Sequence, residues 1–209
     1  MKKIFYVFAL SFFAVTAANA QASFGVKAGV NLAKISGNDF ADETDRKLGV
    51  VFGGYGRVGL TDLLYFQPEL LFSSQGYKTE FTYTDFDPTT FETFEVTEEL
   101  KLKTTYLNVP LMVGANFDGF NVQVGPQLGL LLSAKSESDV NGNSEEEDVK
   151  DELKSIDLGL NIGVGYELES GLNFGARYGI GLSDIAEDNE GDAVKNSVLQ
   201  FTIGYTLNR

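Results

Sequence analysis

Eight stretches of this sequence alternate apolar and polar residues with a period of two, which constrains the fold more than any other feature. They are residues 24–33, 48–60, 64–75, 103–116, 120–133, 156–168, 172–183 and 197–207. Each is about as long as, or longer than, the roughly 9–11 residues that a tilted strand needs to cross a bilayer. Strands of soluble sandwiches usually have about 5–6 residues. The pattern therefore predicts an all-β fold of eight long antiparallel strands.

The connections between these stretches alternate in length. The long ones are residues 34–47, 76–99, 134–155 and 184–196, and the tight ones are residues 61–63, 117–119 and 169–171. The Asp118-Gly119 pair is typical of a hairpin turn. Short turns at one rim and long loops at the other are typical of outer-membrane barrels, whose turns are periplasmic and whose loops are extracellular. We therefore expect an eight-stranded up-and-down transmembrane β-barrel with both termini in the periplasm.

Charge follows the same division. Of the 30 Asp and Glu residues, 24 lie in the four long connections, and the apolar faces of the eight stretches carry no charge. This distribution predicts long acidic extracellular loops above a lipid-facing wall, with outer-membrane lipid and the outer-membrane assembly machinery as partners. The formal net charge of −14 argues against nucleic-acid binding, because phosphates require clusters of Lys and Arg.

The first residues predict export. Lys2 and Lys3 precede an apolar run, residues 4–15, and Ala18-Asn19-Ala20 fits the small-x-small rule for signal peptidase. The apolar run is shorter than the roughly 20 residues of a membrane-spanning helix, which disfavours an anchor. We therefore expect residues 1–20 to be a removed signal peptide and residues 21–209 to be a single outer-membrane β-barrel domain.

Several stretches resemble the PorT-like outer-membrane β-barrel family of small eight-stranded barrels. The similar segments are residues 25–32 (GVKAGVNL), 106–111 (YLNVPL), 159–166 (GLNIGVGY) and 176–185 (ARYGIGLSDI). The resemblance covers essentially the whole mature chain and implies the fold and an outer-membrane location, but no catalytic residue. The chain departs from the commonest barrel pattern at its end, YTLNR, where many outer-membrane barrels finish on an aromatic residue.

Charged residues also occur on the predicted inner faces of the strands. They are Lys27, Arg57, Glu69, Asp157, Glu167 and Arg177. One interpretation is a polar conduit, or a path for protons or ions. The other is a structural cluster in which salt bridges and hydrogen bonds satisfy charges away from water. Because eight strands leave little lumen beyond the space that side chains fill, the structural interpretation is favoured.

Other sites are poorly supported. Residues 139–143 (DVNGN) begin like a calcium-binding loop, but Ser144 stands where glycine is required and Lys150 where glutamate is required. The chain has no His and no Cys, so Ser–His, Cys–His and histidine–metal arrangements cannot form. A carboxylate pair such as Asp87 with Glu92 could in principle do acid–base work. We expect no enzyme, no cofactor and no metal.

The sequence thus favours a non-enzymatic outer-membrane barrel with an envelope structural role, or a surface-interaction role in which its acidic loops contact an unidentified extracellular ligand or protein. One alternative is a narrow porin-like channel or a transport or secretion accessory. Another is a soluble periplasmic barrel that carries a ligand. The strand length and the uncharged outer faces favour the membrane over the soluble alternative.

Overall fold

The computed structural model describes residues 22–37, 44–87, 91–140, 143–187 and 191–207. They form β1 (Ala22–Ser36), β2 (Asp45–Gly59), β3 (Leu64–Asp87), β4 (Glu92–Phe117), β5 (Phe120–Val140), β6 (Asn143–Asp148), β7 (Ile156–Glu167), β8 (Leu172–Gly181) and β9 (Lys195–Thr206). A single 3-10 turn, Lys150–Glu152, lies between β6 and β7. The described residues include no helix long and apolar enough to cross a membrane. The predicted signal peptide and the last two residues lie outside the described part.

The strands close into a ring. Their order is β4-β3-β2-β1-β9-β8-β7-β5, every pairing is antiparallel, and the β4–β5 pairing joins the two ends. Strand β6 pairs with β5 alone and lies outside this ring. The prediction of an all-β, eight-stranded, antiparallel up-and-down barrel is therefore confirmed, with one additional strand.

The tight turns follow from local chemistry. Asp118 and Gly119 both have positive φ, 50° and 93°, as a two-residue type I′ turn requires, and they join β4 directly to β5. In the turn before β3, the Thr61 hydroxyl accepts a hydrogen bond from the backbone N–H of Leu64 at 2.9 Å. These turns keep consecutive strands adjacent, so the chain winds around the barrel without a crossover.

The outer wall of the barrel is apolar. Large apolar side chains that face outward are exposed on every strand of the ring, in agreement with the predicted lipid-facing positions; examples are Val26, Phe52, Leu70, Val113, Val124, Ile162, Ile180 and Ile203. From Phe120 to Leu132, β5 runs about 40 Å at roughly 3.3 Å per residue, or about 30 Å of height at a tilt of about 40°. That height matches the hydrocarbon core of a bilayer.

An aromatic row marks the short-turn rim. Phe117 pairs with Phe120, Phe120 with Tyr166, and Tyr166 with Phe174, so the row crosses β4, β5, β7 and β8. All four side chains are exposed. Aromatic residues form such girdles where a transmembrane barrel meets the membrane–water interface.

Glycines on the inner face allow the barrel to curve tightly. A Cβ added at Gly29 would lie 1.9 Å from the carbonyl oxygen of Phe201 on the neighbouring strand. A Cβ at Gly114 would lie 2.3 Å from Cζ of Tyr65. Neither position can accept a larger residue without moving a strand or a buried ring, as a small barrel with close backbone approach requires.

The prediction that two of the long connections are loops is wrong in detail, because both contain paired strands. Residues 76–99 continue β3 and β4 as a paired hairpin to Asp87 and Glu92, and residues 134–155 extend β5 to Val140 and add β6. The reason is visible in the sequence of the first hairpin, where Thr, Phe, Tyr and Val alternate with the acidic residues. β-Branched and aromatic residues favour strands even when the segment is strongly charged.

Candidate functional site

The centre of the barrel holds a buried ion cluster of three charged side chains. Arg177 on β8 reaches across the lumen to Glu69 on β3, donating from Nη1 to Oε2 at 2.9 Å and from Nη2 to Oε1 at 2.8 Å. Lys27 on β1 donates to the same Oε1 at 2.9 Å. All three side chains are buried. This central ion cluster ties three separate strands to one carboxylate, in the two-pronged geometry that arginine and carboxylate prefer.

A second ion pair is joined to the central ion cluster towards the short-turn rim. Gln67 donates to Glu69 at 2.7 Å and accepts a hydrogen bond from Nε of Arg57 at 2.9 Å. Arg57 in turn forms an ion pair with Glu167 on β7, with Nη1 and Oε2 2.6 Å apart. The half of the lumen nearer the short-turn rim therefore contains one connected network. Each charged side chain in it has an opposite charge and hydrogen-bond partners nearby.

Tyrosine rings line the same network. Nζ of Lys27 lies 4.9 Å from the centre of the Tyr55 ring, and the guanidinium of Arg57 lies 4.7 Å from the centre of the Tyr65 ring. The Tyr55 hydroxyl accepts a hydrogen bond from Asn173 Nδ2 at 2.9 Å. These rings fill space in the lumen, and their π-electron faces attract the two cations.

Asp157 stands apart from the other five predicted interior charges. It lies at the start of β7, near the long-connection rim, and accepts hydrogen bonds from Asn196 Nδ2 and from the Ser183 hydroxyl, both at 2.9 Å. Its hydrogen bonds are therefore to neutral groups rather than to the cations of the central ion cluster. The period-two pattern predicts which face a residue occupies, but not its height in the barrel.

Sequence reasoning missed the neutral members of the network. Gln67, Gln123 and Asn121 lie on the same inner faces as the charges, and the Gln123 side chain accepts from Arg177 at 3.1 Å and donates to Asn121 at 3.0 Å. Their inward position was available from the alternation. Their role in linking the charged side chains could not be predicted, because it depends on which residues of distant strands lie at the same height in the barrel.

Side chains fill most of the lumen between two small cavities in the described residues. One small cavity of about 30 Å³ lies below the central ion cluster, lined by Tyr55, Arg57 and Gln67 among others. A second, of about 20 Å³, lies above it, lined by Asn161, Asp157 and Asn196 among others. Arg177 and Gln200 line both cavities and so stand between them. Each cavity has room for about one or two waters, far below the roughly 300–1,000 Å³ of a ligand pocket.

The long-connection mouth of the barrel is plugged by apolar side chains. Ile35 and Ile185 are buried against each other, with Tyr77 and Val194 packed on them. A second cluster joins Tyr106, Leu131 and Ala134 of the wall to Val149 and Leu153 beside the 3-10 turn. The two connecting segments are linked by a hydrogen bond from the Lys154 backbone N–H to the Ile185 carbonyl at 2.8 Å.

Above this mouth, the ends of β3, β4 and β5 continue with β6 as a four-stranded sheet, which we call the projecting sheet. Its strand order is β3-β4-β5-β6. Gly76 lies two residues before the last pair of β3 with β2, at Lys78. Its φ is +121°, and it has no room for a Cβ, which would lie 1.9 Å from the Leu102 carbonyl oxygen. Only glycine adopts this backbone conformation without strain.

Ion pairs concentrate at the base of the projecting sheet. Lys101 lies 2.7 Å from Glu99, and Lys103 and Lys135 contact Glu137 and Glu146. The hydrogen bond to Glu137 raises the pKa of Lys103, and the hydrogen bond from Lys135 lowers the pKa of Glu146. These pairs are at least partly exposed to water, which screens the charges, so each contributes little to stability.

The outer part of the β3–β4 hairpin has two different faces. Its inner face, on the same side as the barrel lumen, carries four apolar side chains and two acidic ones: Phe81, Tyr83, Phe94, Val96, Asp85 and Glu98. Its outer face carries Glu80, Thr82, Thr84 and Phe86, paired with Glu99, Thr97, Glu95 and Thr93. Phe81, Tyr83 and Phe94 are exposed. Most of the apolar side chains of the hairpin therefore lie on its inner face, where carboxylates stand among them.

The other sequence candidates do not form sites in the described residues. In the partial calcium-loop match, the Ser144 hydroxyl donates to Asp139 at 2.8 Å, and residues 141 and 142 lie outside the described part. Asp87 and Glu92 are paired in register at the hairpin end. No group of three or more acidic residues with a metal-binding arrangement occurs among the described residues.

Comparison with known proteins identifies the family. A family model described as outer membrane protein beta-barrel domain matches residues 17–187. Because this match covers most of the sequence, the chain belongs to that family and is an outer-membrane β-barrel protein. The alternative of a soluble, ligand-carrying barrel is inconsistent with this family and with the exposed apolar wall. No protein of curated function matches the sequence.

Solved structures with a similar shape are distant in sequence. The chain is 18% identical to Neisserial surface protein A, covering 88% of this chain and 97% of that one, with a TM-score of 0.49. It is 12% identical to Ail, the attachment invasion locus protein of Yersinia pestis, covering 90% of this chain and 99% of that one, with a TM-score of 0.40. Similarities this weak carry no argument about function.

Proposed function

We propose that this member of the outer membrane protein β-barrel family is a non-enzymatic surface-interaction protein, and that its acidic projecting segments contact a ligand or protein outside the cell. The proposal includes membership of the PorT-like group, cleavage of residues 1–20, short turns and both termini in the periplasm, and the projecting sheet at the cell exterior. A barrel of this kind needs no cofactor, and its other partners are the surrounding lipid and the assembly machinery.

The main support for the proposal is the difference in exposure between the side chains of the barrel interior and those of the projecting sheet. Inside the barrel, the charged groups of the central ion cluster are buried and satisfied by one another. In the projecting sheet, the aromatic side chains Phe81, Tyr83 and Phe94 are exposed in water. Exposed apolar groups beyond the lipid-facing wall are a feature of interaction surfaces.

The alternative is a narrow porin-like channel, or a transport or secretion accessory. The small size of the cavities weighs against conduction, because Arg177 and Gln200 stand between two cavities that each hold about one or two waters. Arg177 is also held across the lumen by its bidentate contact with Glu69. A role as a transport or secretion accessory would still use the projecting sheet as the surface that contacts other proteins.

Orientation can be tested with single cysteines, because the chain has none of its own. We expect Thr84→Cys, in the projecting sheet, to react with a membrane-impermeant maleimide on intact cells. Ser170→Cys, in a short turn, should react only after the outer membrane is permeabilised. The reverse pattern would contradict the orientation and with it the proposed function.

The interaction role itself can be tested by adhesion. Cells that display the full chain should bind to at least some members of a panel of immobilised extracellular proteins. Cells that display a variant with residues 79–100 replaced by a short turn should bind less, while heating still shifts the gel mobility of the folded barrel. Equal adhesion by both would contradict a surface-interaction role for this sheet.

A further inference from the structure

The barrel interior contains two cations that lie beside both an aromatic ring and a carboxylate. The guanidinium of Arg57 lies 4.7 Å from the centre of the Tyr65 ring, and its Nη1 is 2.6 Å from Oε2 of Glu167. Nζ of Lys27 lies 4.9 Å from the centre of the Tyr55 ring and contacts the carboxylate of the central ion cluster. A ring and a carboxylate together therefore form the surroundings of a cation in this chain, since both attract positive charge.

The outer part of the β3–β4 hairpin brings the same two groups together on its inner face. Phe81 is paired in register with Glu98, and Asp85 is paired with Phe94. Cβ atoms of residues directly opposite each other on antiparallel strands are about 4.5–5.5 Å apart, so in each pair a ring lies next to a carboxylate. These two pairs, which we call the ring–carboxylate pairs, offer the groups that surround Arg57 inside the barrel.

The hairpin itself supplies no cation to the ring–carboxylate pairs. Residues 79–100 contain seven Asp and Glu residues and no Lys or Arg. Lys78 and Lys101, on either side of this segment, contact Glu99 on the outer face. Among the described residues, no ion pair involves a carboxylate of the ring–carboxylate pairs. Both pairs therefore lack the positive charge that the matching groups of the interior have.

The inner face is also open enough to be reached. Phe81 is 38% exposed and Phe94 is 46% exposed. Between the two pairs lie Tyr83, which is 47% exposed, and Val96, which is buried. Asp85 lies four residues beyond Phe81, so the two pairs are about 13 Å apart at roughly 3.3 Å per residue. The face thus presents two places for a cation with an apolar stretch between them.

We infer that the inner face of the outer β3–β4 hairpin binds two arginine side chains of a partner protein, one at each ring–carboxylate pair. Arginine suits these pairs better than lysine, because its planar guanidinium can stack on a ring and donate two hydrogen bonds to a carboxylate. The partner's side chains between the two arginines are apolar and contact Tyr83. The inference rests on the proposed function, because it names the partner chemistry for the same projecting sheet.

Other occupants fit this face less well. A second copy of this chain would place two carboxylate-rich hairpins against each other, without a cation in residues 79–100 of either. An uncharged apolar ligand would remove water from Asp85 and Glu98 without replacing it, which is unfavourable. An anionic polysaccharide would be repelled by the same carboxylates. A cationic partner satisfies the carboxylates, and its attraction to them speeds encounter.

The test uses the full chain in nanodiscs of zwitterionic lipid, with empty nanodiscs as the blank. The probe is a diguanidine whose two guanidinium groups are joined by an alkyl chain of about 13 Å, the distance between the two pairs. We expect saturable changes in the amide NMR signals of residues 81–98, and weaker binding as salt rises. A monoguanidine with the same alkyl chain should bind about tenfold more weakly, because it occupies only one pair. So should a diguanidine with a chain of about half the length, which cannot span both pairs.

Charge variants locate the site on one face of the hairpin. The pair Asp85→Asn and Glu98→Gln should weaken binding of the long diguanidine about tenfold, since both pairs lose their carboxylate. The matched control is the pair Glu80→Gln and Glu95→Gln, which removes the same charge from the outer face of the same hairpin. The control should change binding less than about twofold, because exposed charges at a distance are screened by salt.

Ring variants test the second group of each pair. Phe81→Ser removes one of the two rings and should weaken binding about fivefold. The matched control is Phe86→Ser, which removes an exposed ring from the outer face of the same strand and should change binding less than about twofold. In every variant, the heat-dependent gel shift checks that the barrel has folded.

The outcomes separate the inference from the proposed function. Equal losses with the inner-face and outer-face charge variants would leave only diffuse charge attraction and overturn the site. Binding of the monoguanidine or the short diguanidine as tight as that of the long diguanidine would overturn the two-arginine arrangement. Absence of diguanidine binding would overturn the inference, whereas the proposed function fails only if labelling or adhesion gives the contrary result.

Discussion

Strands β3, β4 and β5 contribute to both the barrel interior and the projecting sheet, but charges are paired differently in the two regions. In the interior, one carboxylate, Glu69, is buried between two cations at 2.8–2.9 Å. In the projecting sheet the ion pairs are exposed at its base, and residues 79–100 have carboxylates only. The inner charges therefore join strands to one another, whereas we propose that the outer charges take part in binding a partner.

The largest effect should follow from breaking the central ion cluster. Glu69→Gln leaves Lys27 and Arg177 buried without their carboxylate, which should lower the free energy of unfolding by about 3–5 kcal/mol. Urea unfolding in detergent micelles, followed by the heat-dependent gel shift, measures it. The double variant Glu69→Gln with Arg177→Gln should recover part of the loss. No loss in the single variant would show that the cluster does not stabilise the barrel.

A charge on the lipid-facing wall should have the next largest effect. Ile162 is exposed near the middle of β7, and Ile162→Arg should destabilise the folded barrel by about 2–4 kcal/mol at the bilayer midplane. Thr82→Arg, on the outer face of the projecting sheet, is the matched control and should leave the barrel unchanged. The measurement is urea unfolding in lipid vesicles. Equal effects at both sites would mean that the wall does not face lipid.

Gly76 joins the two regions, and its substitution should have a smaller effect. Gly76→Ala puts a Cβ against the Leu102 carbonyl in a left-handed backbone conformation, which should cost about 1–3 kcal/mol of local strain. We expect faster amide hydrogen exchange in the β3–β4 hairpin, with exchange in β7 and β8 unchanged. Unchanged exchange in the hairpin would contradict the strained geometry at the base of the sheet.

The smallest effect concerns the exposed pairs of β6. The hydrogen bond from Lys135 lowers the pKa of Glu146 from its usual value, so the stabilising contribution is present at neutral pH and is lost as pH falls through the lowered pKa. Acidification should therefore loosen β6 from β5 while the barrel stays closed. Hydrogen exchange of β6 against that of β9 measures this, with Lys135→Met as the control that reduces the pH dependence and leaves the contact between Lys103 and Glu146 in place.

The sequence was enough to predict the barrel because alternation, turn chemistry and connection length all point to the same fold. The Asp118-Gly119 turn and the outward positions of residues such as Val124 and Ile180 could be read directly. Residues 76–99 were predicted as a loop although they form a hairpin, because their acidic residues obscured the alternation of Phe81 and Tyr83. Local strand preference outweighed charge there.

The interior network could be predicted only in part. Alternation places Glu69 and Arg177 on inner faces, but the two lie 108 positions apart in the chain and meet across the lumen. Their meeting depends on strand tilt and stagger around the whole ring, which no local pattern contains. For the same reason, the alternation places Asp157 on an inner face but does not predict that it accepts hydrogen bonds from Asn196 and Ser183 and lies apart from the central ion cluster.

If the ion cluster blocks the interior of this barrel, the protein acts through its projecting sheet and not as a pore. Planar-bilayer recording of the purified full chain decides between the two. We expect no steady single-channel current for the unmodified protein at neutral pH. Steady unitary currents that change in Glu69→Gln would contradict it, because they would show that ions pass the level at which Arg177 and Glu69 close the lumen.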